Sequence, residues 1–272
     1  MDMRWAVRDE ATDDHMTTTI CLEELDHCQQ VSVGPSFFFL IGQKYGYKPL
    51  PTFILGDHFD CLLQGLQSLG MEEGVKLLRT WYVKDLNCVP PSYILQPISS
   101  ILPNFLNSRN SKLQQVDQEA WFDTLTQIQK YILKGSEILR HSEKISESEF
   151  QVLRMSVIER EFTKGIVEAR DVKDDCFAFV RWVRNSFALR SPCSRRVIHN
   201  MSFSDMEKVS LYVDTTKDGS VDKNATEMAI KLRDEKLPKV IHKRNCKRFE
   251  IDWSGFEGLS LESHSSYFTG SN

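Results

Sequence analysis

The stretch Ser36–Pro51, SFFFLIGQKYGYKPLP, constrains the fold of this chain more than any other. Its apolar run Phe37–Ile41 is too short to span a membrane and is rich in strand-forming residues. Turn residues bound it, Gly34 and Pro35 before, Gly42 and Gly46 after. An unbroken apolar run between turns predicts a strand buried on both faces, and such strands belong to parallel sheets covered by helices. Ligands of open α/β sheets gather beyond the carboxyl ends of the strands. The segment in that place is polar and aromatic, with Gln43, Lys44, Tyr45, Tyr47 and Lys48 as binding-loop candidates. A tight turn packed on its own tyrosines is the better reading of the same residues.

Helical spacing recurs around that strand. Thr17 or Thr18 can cap a helix whose inward positions are Ile20, Leu22, Leu25 and Cys28. Asp57–Leu69 carries Phe59, Leu62, Leu63, Leu66 and Leu69 on one stripe, and a second helix is predicted over Met71–Asp85. Long helices are expected over Leu113–Leu139, Ser146–Glu168 and Asp222–Ile241, and a shorter one over Met206–Val213. Further strands are predicted at Met3–Val7, Ser92–Gln96, Cys176–Val183 and Arg248–Trp253. Arg181 interrupts the third of these, which suggests a less protected place than Phe37–Ile41. Polar loops are expected at Asp9–His15, Ile98–Asn110 and Phe187–Val197, with a disordered tail from Ser260.

Composition narrows the function classes. A net charge of −4 gives no electrostatic case for nucleic acid or an anionic membrane as partner. The N-terminus has acidic residues and no apolar core, so it is not a secretory signal. Seven scattered cysteines suggest reduced thiols in a cytoplasmic or nuclear protein rather than a disulfide framework. No CxxC pair marks a metal site, and none is expected. Asp214–Asp222 has acids at calcium-loop positions one, five and nine, but Ala225 stands where a bidentate glutamate belongs, so an acidic turn capping a helix is the better reading. Gly42–Pro49 lacks the GxxxxGK[ST] spacing that cradles phosphate. No cofactor is expected.

The blocks MDMRWAVRDEATDDHMTT, ICLEELDHCQQ, SVGPSFFFLIGQKYGYKPLPT, RTWYVKDLNCVPPSYILQP and SVIEREFTKGI resemble the N-terminal region of the NACHT and WD repeat domain-containing proteins. The resemblance implies an α/β fold: an incomplete TIR-like (flavodoxin-like) parallel sheet with helices on both faces, followed by a mainly helical extension. The implied boundaries are a core over 1–100, a connection over 101–112, an extension with one or two further strands over 113–255, and a tail over 256–272. It implies that an earlier strand and helix precede the block, and that a chain without them is less stable than its parent. As a partner it implies the NACHT and WD repeat modules of that parent, other proteins, or a further copy of itself. Some TIR domains cleave NAD with a glutamate on the helix after the third strand. Here that helix, from Asp57, carries aspartates, and Glu23 and Glu24 on the preceding helix are the alternatives. Three functions stay open: a non-enzymatic cytosolic scaffold or signalling module, an NAD-cleaving enzyme, or a truncated product without a role of its own.

Overall fold

The computed structural model describes residues 9–184, 210–216 and 218–252. Met3–Val7, Phe187–Val197, most of Met206–Val213 and the tail from Ser260 lie outside them. Two compact units divide the chain: Met1–Glu23 with Lys48–Val157, and Glu24–Tyr47 with Ile158–Asn272. They interleave along the sequence rather than following one another.

The first unit opens with α1 (Asp9–Asp13), a short helix where a loop was expected. Its sheet is antiparallel, in the order β2 (Phe53–Leu55), β4 (Ser92–Leu95), β3 (Tyr82–Asp85). The strand expected at Ser92 is therefore present but antiparallel. The helix expected over Met71–Asp85 stops at Trp81: α4 covers Glu72–Trp81, and at Tyr82 the backbone turns extended. Strand propensity and pairing with β4 win over helical spacing there. Next to them pack α3 (Gly56–Ser68) and α6 (Ser111–His141), the latter capped by Asn110, which accepts from the Leu113 N–H at 3.2 Å. These two helices approach through glycines. A Cβ on Gly135 would stand 2.2 Å from Leu62 Cγ, and one on Gly65 would stand 2.6 Å from Ile138 Cδ1. The expected loop after Ile98 contains α5 (Ile98–Ile101), and Ile98 and Phe105 are core residues. A capping box of Ser146 and Glu149 starts α7 (Glu147–Arg154).

The second unit is an α/β layer built on a parallel sheet, β1 (Phe37–Ile41), β5 (Cys176–Arg184), β6 (Cys246–Asp252), in that order. Helices flank it. These are α2 (Thr17–Val31) from Glu24 onward, α8 (Val157–Phe162) with the π-turn Thr163–Val167, the short α9 (Val172–Asp175), and α10 (Lys223–Ile230) continuing through a π-turn Lys231–Lys236 into α11 (Leu237–Val240). Asp222 caps α10 by accepting from the Ala225 N–H, as the acidic-turn reading expects. The helix expected over Ser146–Glu168 is broken at Met155 and Ser156, near the point in the chain where one unit gives way to the other.

Two expectations for the sheet are corrected. β1 is an edge strand with one buried face: Phe37, Phe39 and Ile41 point into the core, while Phe38 and Leu40 are 56% and 58% exposed. The strand with Arg181, β5, is the middle one, and its Cys176, Ala178 and Val180 are fully buried. The run looked buried throughout because both faces are apolar, not because both are covered. The core is closed by Leu25, Phe162, Ile166, Ala229 and Leu232 from the helices. Gly165 is required there, since a Cβ would lie 2.4 Å from the Phe37 ring. The π-turn leaves carbonyls without helical partners, and Gln29 Nε2 donates to those of Lys164 and Gly165.

Candidate functional site

Beyond the carboxyl end of β1 the alternation of the strand carries on into the loop. Phe37, Phe39 and Ile41 face inward, and so do Gln43 and Tyr45. Tyr45 is 0% exposed and Gln43 is buried, whereas Tyr47 is 48% exposed and Lys44 and Lys48 are half-buried. Gly46 has a positive φ of 87°, which a side chain rarely tolerates, and it turns the chain so that Tyr47 faces outward.

Tyr45 is an anchor. Its hydroxyl donates to Glu159 Oε2, and Lys236 donates from the π-turn to Glu159 Oε1. Glu159 is itself buried, so the charge-assisted bond from Tyr45 forms out of water, while Lys236 reaches it from a side chain that stays 40% exposed. Asp214 holds the backbone of the same loop, with Oδ2 accepting from the N–H of Tyr45 at 2.7 Å and of Gly46 at 3.2 Å. Arg233, also buried, donates to the Gly42 carbonyl at 3.1 Å, forks onto Asp234 and lies 4.2 Å above the Trp182 ring. Lys48 belongs to the other unit, where its carbonyl accepts from Gln129.

Sequence reasoning missed Glu159, Asp214, Arg233 and Lys236. For Glu159 a signal existed: with Phe162 and Ile166 it forms an i, i+3, i+7 stripe, which places a carboxylate on the inward face. Arg233 and Lys236 are brought to the loop by long-range packing that no local pattern encodes.

Of the NAD-cleavage candidates, Glu23 falls in the first unit and Glu24 in the second. Glu23 is exposed on α2 and Glu24 half-buried. The inward side of α2 is Thr18, Cys21 and Leu25, one residue off the expected Ile20 and Leu22. Glu161 is half-buried, and burial pushes its carboxyl up to about 7. Burial likewise pushes the Cys176 thiol up to about 11, which leaves it inert as a nucleophile. Among the described residues, no cluster of three or more His, Cys, Asp or Glu is placed to hold a metal. No described helix is long and apolar enough to cross a membrane.

Known proteins similar to the chain agree with one another. Human NACHT and WD repeat domain-containing protein 2 is 27% identical over 251 residues, 91% of this chain. Mouse NACHT domain- and WD repeat-containing protein 1 is 28% identical over 235 residues, 86% of this chain. The chain is thus similar in sequence to the NACHT and WD repeat domain-containing proteins. It spans only 14% and 13% of those relatives' lengths. No family model and no solved structure matches it.

Proposed function

We propose that the chain is a non-enzymatic protein-binding module of a NACHT and WD repeat protein, working in a cytosolic scaffold or signalling assembly. One observation carries this reading: the loop after β1 is held from three directions, by Glu159, Asp214 and Arg233, and displays Tyr47 outward. A pre-ordered loop with an exposed aromatic suits binding, because little conformational entropy is lost on contact. Tyrosine is favoured at such contacts. The TIR-like reading of the fold rests on three parallel strands that neighbour one another in the sheet, β1, β5 and β6, with Lys48–Val157 as an insertion between the first two. The partner proposed is the NACHT and WD repeat portion of the same parent, or a further copy of the module.

The test is sedimentation of the chain alone and mixed with the remainder of its parent, using wild type, Tyr47→Ala and Lys44→Glu. Association weakened about tenfold or more by Tyr47→Ala supports the reading. Equal association in all three, or none in either titration, overturns it.

A further inference from the structure

The outward face of the parallel sheet carries Phe38 and Leu40 on β1, Phe177, Phe179 and Arg181 on β5, and Lys247 on β6. Phe38 stacks on Phe177 at 5.6 Å and lies 6.5 Å from Phe179, so the rings form one continuous apolar step across two strands. Phe38 and Leu40 nonetheless stay more than half exposed. Single exposed apolar side chains are ordinary, whereas a contiguous patch with a polar rim marks a contact surface. Parallel sheets are as a rule covered on both faces, and the described helices that share this core pack on the Phe37, Phe39 and Ile41 side.

Among the described residues, the charged side chains on the outward strand positions are cations. Lys247 is exposed, its ammonium 5.3 Å from the centre of the Phe249 ring. Arg181 closes the carboxyl end of the patch, lying across Gly42, where a Cβ would meet its Nη2 at 3.1 Å. Its guanidinium sits 5.1 Å from the Tyr212 ring centre and, among the described residues, pairs with no carboxylate. None of the outward strand positions carries an acid.

We propose that this face docks an amphipathic helix of a partner polypeptide, with its apolar stripe on Phe38, Leu40 and Phe179 and acidic residues beside Arg181 and Lys247. The dimensions suit one helix: the outer strands of a three-stranded sheet lie about 10 Å apart, and a helix is about 10–12 Å across. A second copy of the face is the poorer occupant, because it would bring two cationic rims together without an acid between them. The inference rests on the binding-module reading and gives that module a second, chemically defined contact.

Fluorescence anisotropy with two dye-labelled helical peptides of about 18 residues tests it. Both carry the same Leu/Phe stripe; one is flanked by Glu and the other by Lys. The whole chain should bind the Glu-flanked peptide at least about tenfold more tightly. Phe38→Ser, Leu40→Ser and Arg181→Gln should each weaken that binding about tenfold, while Phe53→Ser, an exposed apolar site on the other unit, should leave it unchanged. Circular dichroism identifies any variant that fails to fold; Leu40→Ser and Phe38→Ser change exposed positions and serve as each other's check. Equal binding of both peptides, no binding of either, or a dimer of the chain that Phe38→Ser dissociates would overturn the proposal. If the peptides fail while Tyr47-dependent association with the parent persists, only this inference falls; loss of both removes the binding-module reading as well.

Discussion

Replacing Glu159 by Gln tests whether the loop after β1 is held from inside the sheet unit. The carboxylate is 3% exposed and accepts from a fully buried tyrosine hydroxyl and from Lys236, whose side chain is 40% exposed. The introduced amide can still accept from Tyr45, but the charge that strengthens both bonds is gone. Hydrogen bonds to charged groups contribute about 1.5–3 kcal/mol each, and Lys236 recovers part of its share by rehydrating. A loss of about 2–3 kcal/mol is expected for Glu159→Gln. Tyr45→Phe should cost about 1.5–3 kcal/mol in the native background but only about 0.5–1.5 kcal/mol in the Glu159→Gln background, where the bond is neutral. The double variant should therefore be less damaged than the sum by about 1 kcal/mol. Urea unfolding measures this, with exchange of the β1 amides assigning the loss to the correct unit. Additive effects below about 0.5 kcal/mol each would refute the anchoring role.

Further outcomes follow from the same geometry. Asp214→Ala frees the N–H groups of Tyr45 and Gly46, so their hydrogen exchange should quicken with little change in the first unit. Gly135→Ala gains about 1 kcal/mol of helix propensity but drives a methyl into Leu62, and overpacking of about 1–3 kcal/mol should leave it less stable; Leu62→Ala in the same chain should relieve part of that strain. Glu161 binds its proton more tightly folded than unfolded, so its favourable contribution is complete below about 4.5 and is lost as pH rises through about 7. Glu161→Gln should flatten that part of the stability profile and stabilise the sheet unit at pH 8 by about 2 kcal/mol. Burial lowers the pKa of His15 despite its bond to the Gln96 carbonyl, so its contribution runs the other way, present above about 6.5 and lost as pH falls. Acidification should thus loosen the first unit while tightening the second, which exchange resolved by unit would register.

Local pattern made the elements legible and left their pairing hidden. The stripe of Phe59, Leu62 and Leu66 and the long period through Trp121, Leu125, Ile128 and Ile132 read directly as α3 and α6, because one side of each is buried. The partner of Phe37 is Cys176, across a whole intervening unit, and no spacing within a strand encodes such a pairing. The continuous run Phe37–Ile41 misled for a physical reason: an apolar outward face and a buried one have the same composition. Within Gln43–Lys48 the residue types marked a loop of interest, but roles depended on parity. Continuing the period of two from Ile41 places Gln43 and Tyr45 inward, and the positive φ of Gly46 then breaks that period and turns Tyr47 out.

The claim that this module binds rather than catalyses meets its most direct test in one experiment. The purified chain is separated by size with light-scattering detection, and nicotinamide released from NAD is measured by mass spectrometry on the same fractions. The expected result is a folded species of defined mass with no nicotinamide above the protein-free blank. Release that follows the protein peak and is abolished by Glu23→Ala or Glu24→Ala would contradict the account and establish an NAD-cleaving enzyme instead.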